Sequence, residues 1–222
     1  MKNSCHGTTK PGPSQGEVMP WLYNLNNSMQ LIDGSVFHIY SRGNQQKTIF
    51  YTEANYLYFI RKMEKELLPH AHLLAYCLMP NHFHWLVQIK ADEQNAENSN
   101  AHAANFSKAT GILLRSYARA IQKQQQFTGS LFQQNAKSKL LATRNDVLTC
   151  LNYIHNNPLK ANLTSKANDW KFSSLNEYLT TNDSGICNKK LLYELADIDH
   201  KYDFANQYKG LNDAEVKGIF AD

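Results

Sequence analysis

Residues 72–90 constrain this chain more than any other segment. Two runs rich in β-forming residues, HLLAYCLM (72–79) and HFHWLVQIK (82–90), are separated only by the Pro80-Asn81 pair. So short a connection leaves an antiparallel hairpin as the natural outcome. Around it, SVFHIYSR (35–42) alternates like a strand and ends on the turn signal Gly43-Asn44. TEANYLYFIRKMEKELL (52–68) opens on Thr52, an N-cap residue, and repeats apolar residues at helical spacing. Residues 106–126 show a second helical stripe, and KSKLLAT (137–143) reads as a last strand. The order strand, helix, strand, strand, helix, strand predicts an α+β, ferredoxin-like βαββαβ antiparallel sheet, with residues 35–42 and 82–90 as its middle strands. Many unrelated functions use this arrangement, so the fold alone fixes no chemistry.

Three regions are expected: a polar, Gly- and Pro-containing leader over 1–30, a central domain over 31–145, and a mostly helical extension over 146–222. In that extension Asn145 can cap a helix that Asn156-Asn157-Pro158 stops near His155, with further helical stretches near 188–197 and 202–209. The longest apolar run, Leu73 to Met79, is far too short to span a bilayer, so no membrane partner is expected. The four cysteines, Cys5, Cys77, Cys150 and Cys187, form no CxxC pair, and the expectation is reduced thiols in a cytoplasmic protein.

Charge is informative through its distribution. The net charge is only +4, yet from Phe106 to Arg144 stand Lys108, Arg115, Arg119, Lys123, Lys137, Lys139 and Arg144 without one acid. Such a stretch favours a polyanionic partner; the bland reading is a solvated helix face neutralised from elsewhere.

Two His-x-His patterns occur, His70-Ala71-His72 and His82-Phe83-His84. The first straddles the end of a helix and the start of a strand. The second lies within one strand, so both imidazoles project from one face while Phe83, Trp85, Val87 and Ile89 fill the other. Two imidazoles so placed can chelate one divalent ion, or can simply be half-buried histidines bonded to backbone. No carboxylate sits at a suitable spacing for a third ligand. The glutamines of the second helix, Gln122, Gln124, Gln125 and Gln126, offer hard amide oxygens suited to Mg²⁺ or Mn²⁺, or form a plain solvated helix end. On that helix Tyr117 faces the body of the protein with Leu113 and Leu114, while Arg115, Arg119 and Lys123 face away.

Cys77-Leu78-Met79-Pro80-Asn81-His82-Phe83-His84-Trp85-Leu86 resembles the signature of the single-tyrosine HUH transposases, in which two histidines flank a hydrophobic residue. More closely, the chain resembles the REP-associated tyrosine transposases. Supporting matches run in order: His38-Ile39-Tyr40-Ser41-Arg42-Gly43-Asn44, Ser116-Tyr117-Ala118-Arg119, Gly129-Ser130-Leu131-Phe132-Gln133, Tyr153-Ile154-His155-Asn156-Asn157-Pro158 and Trp170-Lys171-Phe172-Ser173-Ser174. The resemblance spans about residues 35–180 and implies an HUH catalytic domain that cuts single-stranded DNA near hairpin repeats.

It implies His82, His84 and Gln122 as ligands of Mg²⁺ or Mn²⁺, and Tyr117 as a nucleophile forming a 5′-phosphotyrosine. Arg42, Asn44, Arg119, Lys137, Lys139 and Trp170 become the expected DNA contacts, and the 146–222 extension would add contacts to the hairpin. The linker over 91–105 allows a homodimer and equally a monomer, and a nucleoid-associated bacterial location is a further expectation. Two other functions fit the same residues: a non-catalytic hairpin binder, and a metal-dependent hydrolase that uses water in place of tyrosine.

Overall fold

The computed structural model describes residues 31–91, 100–180, 185–199 and 201–204. The expected leader therefore lies outside the described residues, as does most of the expected helix near 202–209. Strand β1 (Val36–Arg42) is followed by a 3-10 turn at Asn44–Gln46 and helix α1 (Glu53–Leu67). The hairpin comes next, as β2 (Ala71–Met79) and β3 (His82–Ile89), then α2 (Ala101–Gln125) and β4 (Lys137–Leu141). Helices α3 (Arg144–Lys160), α4 (Leu175–Leu179) and α5 (Lys189–Ala196) complete the chain, with a 3-10 turn at Ala167–Asp169.

The four strands form one antiparallel sheet in the order β2-β3-β1-β4, so β1 and β3 are central as the sequence predicts. Alternation then assigns the two faces. Phe37 and Ile39 of β1 stand with Phe83, Trp85 and Val87 of β3 on the first face, in a core closed by α1 and α2. Both helices are crossovers of the split βαβ pattern, and both cover this face. His38, Tyr40 and Arg42 stand beside Leu86, His84 and His82 on the second face. There α3 packs through Val147, Leu151 and Ile154 against Leu74, Cys77 and Leu86.

The first element of the expected 146–222 extension packs directly on this sheet. Helix α3 is the second cover of the same sheet, and burying its apolar stripe is what keeps it there. Its first turn is held by a capping box, in which the Thr143 hydroxyl accepts from the Asp146 N–H at 3.1 Å and the Asp146 carboxylate accepts from the Thr143 N–H at 3.0 Å. Thr143, not Asn145, is the cap. The helix also runs through Pro158 to Lys160 instead of stopping near His155. Pro158 lacks the N–H that would otherwise bond the Ile154 carbonyl. Neighbouring carbonyls are bonded by side chains here: the Asn156 and Asn157 amides donate to the carbonyls of Asn152 and Tyr153.

The 43–50 segment pins the tip of the hairpin. The Pro80 carbonyl accepts from the N–H groups of Ile49 and Phe50, and the Asn81 carbonyl accepts from that of Gly43. Gly43 owes its place to close approach, since a β-carbon there would stand 2.0 Å from the Lys47 carbonyl oxygen. These bonds fix where β3 begins, and so where His82 stands.

Candidate active site

His82 and His84 open β3 on the face covered by α3, with ring centroids 5.0 Å apart and planes at 85°. Each ring is held through Nδ1. His82 Nδ1 is 2.7 Å from the Asn81 side-chain oxygen, and His84 Nδ1 is 2.9 Å from His38 Nε2. When Nδ1 carries the proton, both Nε2 atoms keep their lone pairs, the arrangement metal-ligating histidines adopt. His84 Nε2 is buried and has no hydrogen-bond partner among the described residues. His82 Nε2 lies 3.3 Å from the Asn157 side-chain oxygen. Burial drives both imidazoles towards neutrality, His82 to about 4 and His84 well below its ordinary value, helped by Arg42 beside them. Neutral rings are what a cation requires.

Among the described residues no group of three His, Cys, Asp or Glu is placed to hold a metal. The donor set at this point is two imidazoles and one amide oxygen, and an orphaned, buried Nε2 is part of it. That combination fits a divalent ion, with the amide favouring a harder cation than a thiolate site would.

The phenol beside these histidines belongs to Tyr153 of α3. Its ring meets that of His84 edge-on at 5.3 Å, and Asn157 stands one helical turn further on. Lys160, one more turn along, sets its ammonium 5.9 Å from the Tyr153 ring centre. The opposite wall comes from β1 and β4: Tyr40 stacks on His38 at 4.9 Å, and the Lys137 ammonium lies 5.7 Å from the Tyr40 ring centre. The resulting cleft measures about 860 Å³ and is lined also by Arg42 and the 133–136 segment, without one carboxylate.

Tyr117 is not at this cleft. Its ring is fully buried on the other face of the sheet, 4.8 Å from Phe59 and 5.5 Å from Phe50. Its hydroxyl donates to the Ile49 carbonyl at 2.7 Å, and burial raises its pKa above the ordinary phenol value. The expectation that Tyr117 supplies the phenol is therefore corrected: the pleat that points His82 and His84 one way points Phe83 and Trp85 the other, towards α2. Gln122 shares this displacement. Its amide donates to the Gly129 carbonyl at 2.6 Å, closing the turn after α2.

The expected DNA contacts divide. Arg42 and Lys137 line the histidine cleft. Lys139 stands opposite His38 on the same face, beside Asp146 and outside the cleft lining. Asn44 opens the 3-10 turn, where its backbone N–H bonds the Leu131 carbonyl. Arg119 lines a separate groove beside α2. Trp170 lies apart from both clefts: its indole N–H donates to the Leu78 carbonyl at 2.9 Å, and its ring packs edge-on against Tyr56 and Phe172. In the other histidine pair, His72 contacts Asn188, and the His70 ring lies 6.3 Å from that of His102.

Sequence reasoning missed Tyr153, Asn157, Lys160 and His38 as site residues. Their signal was present in the i, i+4 spacing of Tyr153 and Asn157, which disappears if the helix is ended at His155.

No protein-family model matches the chain, and no curated protein matches it. Among solved structures, that of a REP-associated tyrosine transposase bound to a REP hairpin is similar, with a TM-score of 0.51 at 14% identity. The match covers 73% of this chain and 90% of that one. At that identity the likeness is one of fold: the α+β antiparallel sheet and its helices are shared with that transposase.

Proposed function

We propose that this chain is a metal-dependent single-stranded DNA nickase and strand transferase, a transposase-type activity at hairpin DNA, with Tyr153 as nucleophile. The observation that carries this reading is the meeting of one phenol, two Nε2 atoms and one amide oxygen in a basic cleft free of carboxylates. His82, His84 and Asn157 are the residues that would hold Mg²⁺ or Mn²⁺. Such an ion, when bound, would polarise a phosphate oxygen and draw charge from phosphorus.

Tyr153 attacks the scissile phosphorus through its phenolic oxygen. A tyrosyl O–P bond forms, the bond from phosphorus to the 3′ oxygen breaks, and that oxygen leaves as a hydroxyl after taking a proton. The phosphate stays on the 5′ side as phosphotyrosine, so the bond energy is kept. A 3′-hydroxyl from another strand can then displace the phenol and join the two strands without ATP. A free phenol loses its proton near pH 10, so attack at neutral pH needs cations close by. The Lys160 ammonium lies 5.9 Å from the Tyr153 ring centre, and Arg42 lines the same cleft. The structurally similar transposase is bound to a hairpin, which supports hairpin DNA as the ligand class.

The test uses end-labelled single-stranded DNA containing a hairpin, with Mn²⁺ or Mg²⁺. The expected result is a protein–DNA conjugate that survives denaturation, and that disappears with chelator, in His84→Ala and in Tyr153→Phe. Cleavage without any conjugate points instead to water as nucleophile. Binding without cleavage points to a hairpin binder.

A further inference from the structure

A second groove lies on the opposite side of the 133–136 segment from the histidine cleft. It measures about 610 Å³ and runs between α2 and the loop that leads into β4. Its α2 wall presents Thr110, Gly111, Arg115 and Arg119, residues repeating at helical spacing along one stripe. The two clefts share Gln133, Gln134, Asn135 and Ala136, so this polar ridge is the wall between them.

Three observations point to a polyanion in this groove. Its lining, like that of the first cleft, contains no Asp or Glu. Arg115 and Arg119 are exposed and form no ion pair among the described residues. The Thr110 hydroxyl is buried, with the residue 1% exposed, and has no hydrogen-bond partner among the described residues. A buried hydroxyl left unpaired is costly, and a ligand oxygen at the groove would satisfy it. Gly111 adds room: the Arg115 guanidinium lies back over it, 2.9 Å from where a β-carbon would stand.

We propose that the α2 groove binds the phosphodiester backbone of a single-stranded DNA segment continuous with the strand held in the histidine cleft. The inference rests on the nickase reading, because that reading supplies the strand. The strand crosses the exposed amides of Gln133, Gln134 and Asn135, which can bond sugar or phosphate oxygens without selecting a base sequence. Arg115 and Arg119 then hold phosphates on the far side. The substrate is thus a hairpin with a single-stranded flank long enough to reach both clefts, and the flank contributes affinity through its backbone.

The test is equilibrium binding in a Tyr153→Phe background, where nothing is covalently trapped. The probes are hairpins of one stem carrying single-stranded tails of increasing length on the 5′ or the 3′ side. The parent is expected to gain affinity with tail length on one side. The double variant Arg115→Ala, Arg119→Ala is expected to lose that gain, about tenfold for the longest tail, while binding the tail-less hairpin unchanged. Losing two phosphate contacts lowers the salt slope by about 1.4, at roughly 0.7 per single-strand phosphate. Thr110→Val, which keeps volume and removes the hydroxyl, is expected to reduce the gain by a smaller factor. Equal affinities for parent and double variant at every tail length and salt concentration overturn the groove. If, in addition, wild type still forms the Tyr153 conjugate, only the groove fails. If the parent binds no hairpin of any kind, the nickase reading fails with it.

Discussion

At the scale of single residues, the informative one is His38. It touches no substrate in this account, yet it is the partner of His84 Nδ1 at 2.9 Å. As an acceptor there it holds His84 with its lone pair on Nε2; as a donor it would place the proton on Nε2 and remove a ligand. Removing such a partner commonly costs 10- to 100-fold in metal affinity. His38→Leu is therefore expected to weaken Mn²⁺ binding about tenfold or more, measured by calorimetry or Mn²⁺ EPR on the protein without DNA. His38→Gln, whose amide oxygen can accept the same bond, is expected to recover part of the loss. Equal Mn²⁺ affinity in wild type and His38→Leu removes this role. The residue could not be assigned from sequence, because its meaning depends on the register that sets β1 beside β3, and alternation within β1 does not say which face His84 shares.

Among elements, α3 carries the site. It supplies Tyr153, Asn157 and Lys160 at successive turns, and it stays on the sheet through Val147, Leu151 and Ile154. Thr143→Ala removes the cap that starts it, and a loss of about 1 kcal/mol in unfolding free energy is expected by urea titration. A midpoint unchanged from wild type contradicts the capping role. The strands were legible because the hairpin and the alternating runs leave few pairings, and the central places of β1 and β3 follow from the βαββαβ order. The proposed nucleophile was not. An inward tyrosine on α2 meets whatever face of β3 the two crossover helices cover, and Phe83 and Trp85 are the residues that need covering. Tyr117 is thereby kept off the histidine face, a consequence visible only when both faces of the sheet are considered together. Reading Pro158 as a stop hid the alternative, since a helix ended at His155 never brings Asn157 under Tyr153.

For the whole molecule, the two faces divide stability from chemistry. The face under α1 and α2 holds an aromatic core, in which Phe59, Phe83, Trp85 and Tyr117 are buried. The face under α3 buries histidines: burial lowers His38 and His155 to about 3 and takes His84 well below its ordinary value. In the unfolded chain these groups protonate near pH 6.5, whereas in the fold they stay neutral until far lower pH. As pH falls below about 6.5 the unfolded state therefore gains protons first, and stability declines by up to about 1.4 kcal/mol per pH unit for each group. The metal-free protein is expected to show a falling urea midpoint between pH 7 and pH 5. His155→Gln, which can keep a bond to the Ser174 hydroxyl, should make that decline shallower. A flat profile in wild type contradicts buried neutral imidazoles. The two clefts without carboxylates share the 133–136 segment, and Arg42, Lys137 and Lys160 line one while Arg115 and Arg119 line the other, a charge pattern suited to a polyanion.

The most direct measurement compares Tyr117→Phe and Tyr153→Phe with wild type on one labelled hairpin substrate, and maps the DNA-linked peptide by mass spectrometry. The linked residue is expected to be Tyr153, with conjugate retained in Tyr117→Phe and absent in Tyr153→Phe. A conjugate that maps to Tyr117, or that persists in Tyr153→Phe, contradicts an active site built between α3 and the histidines of β3.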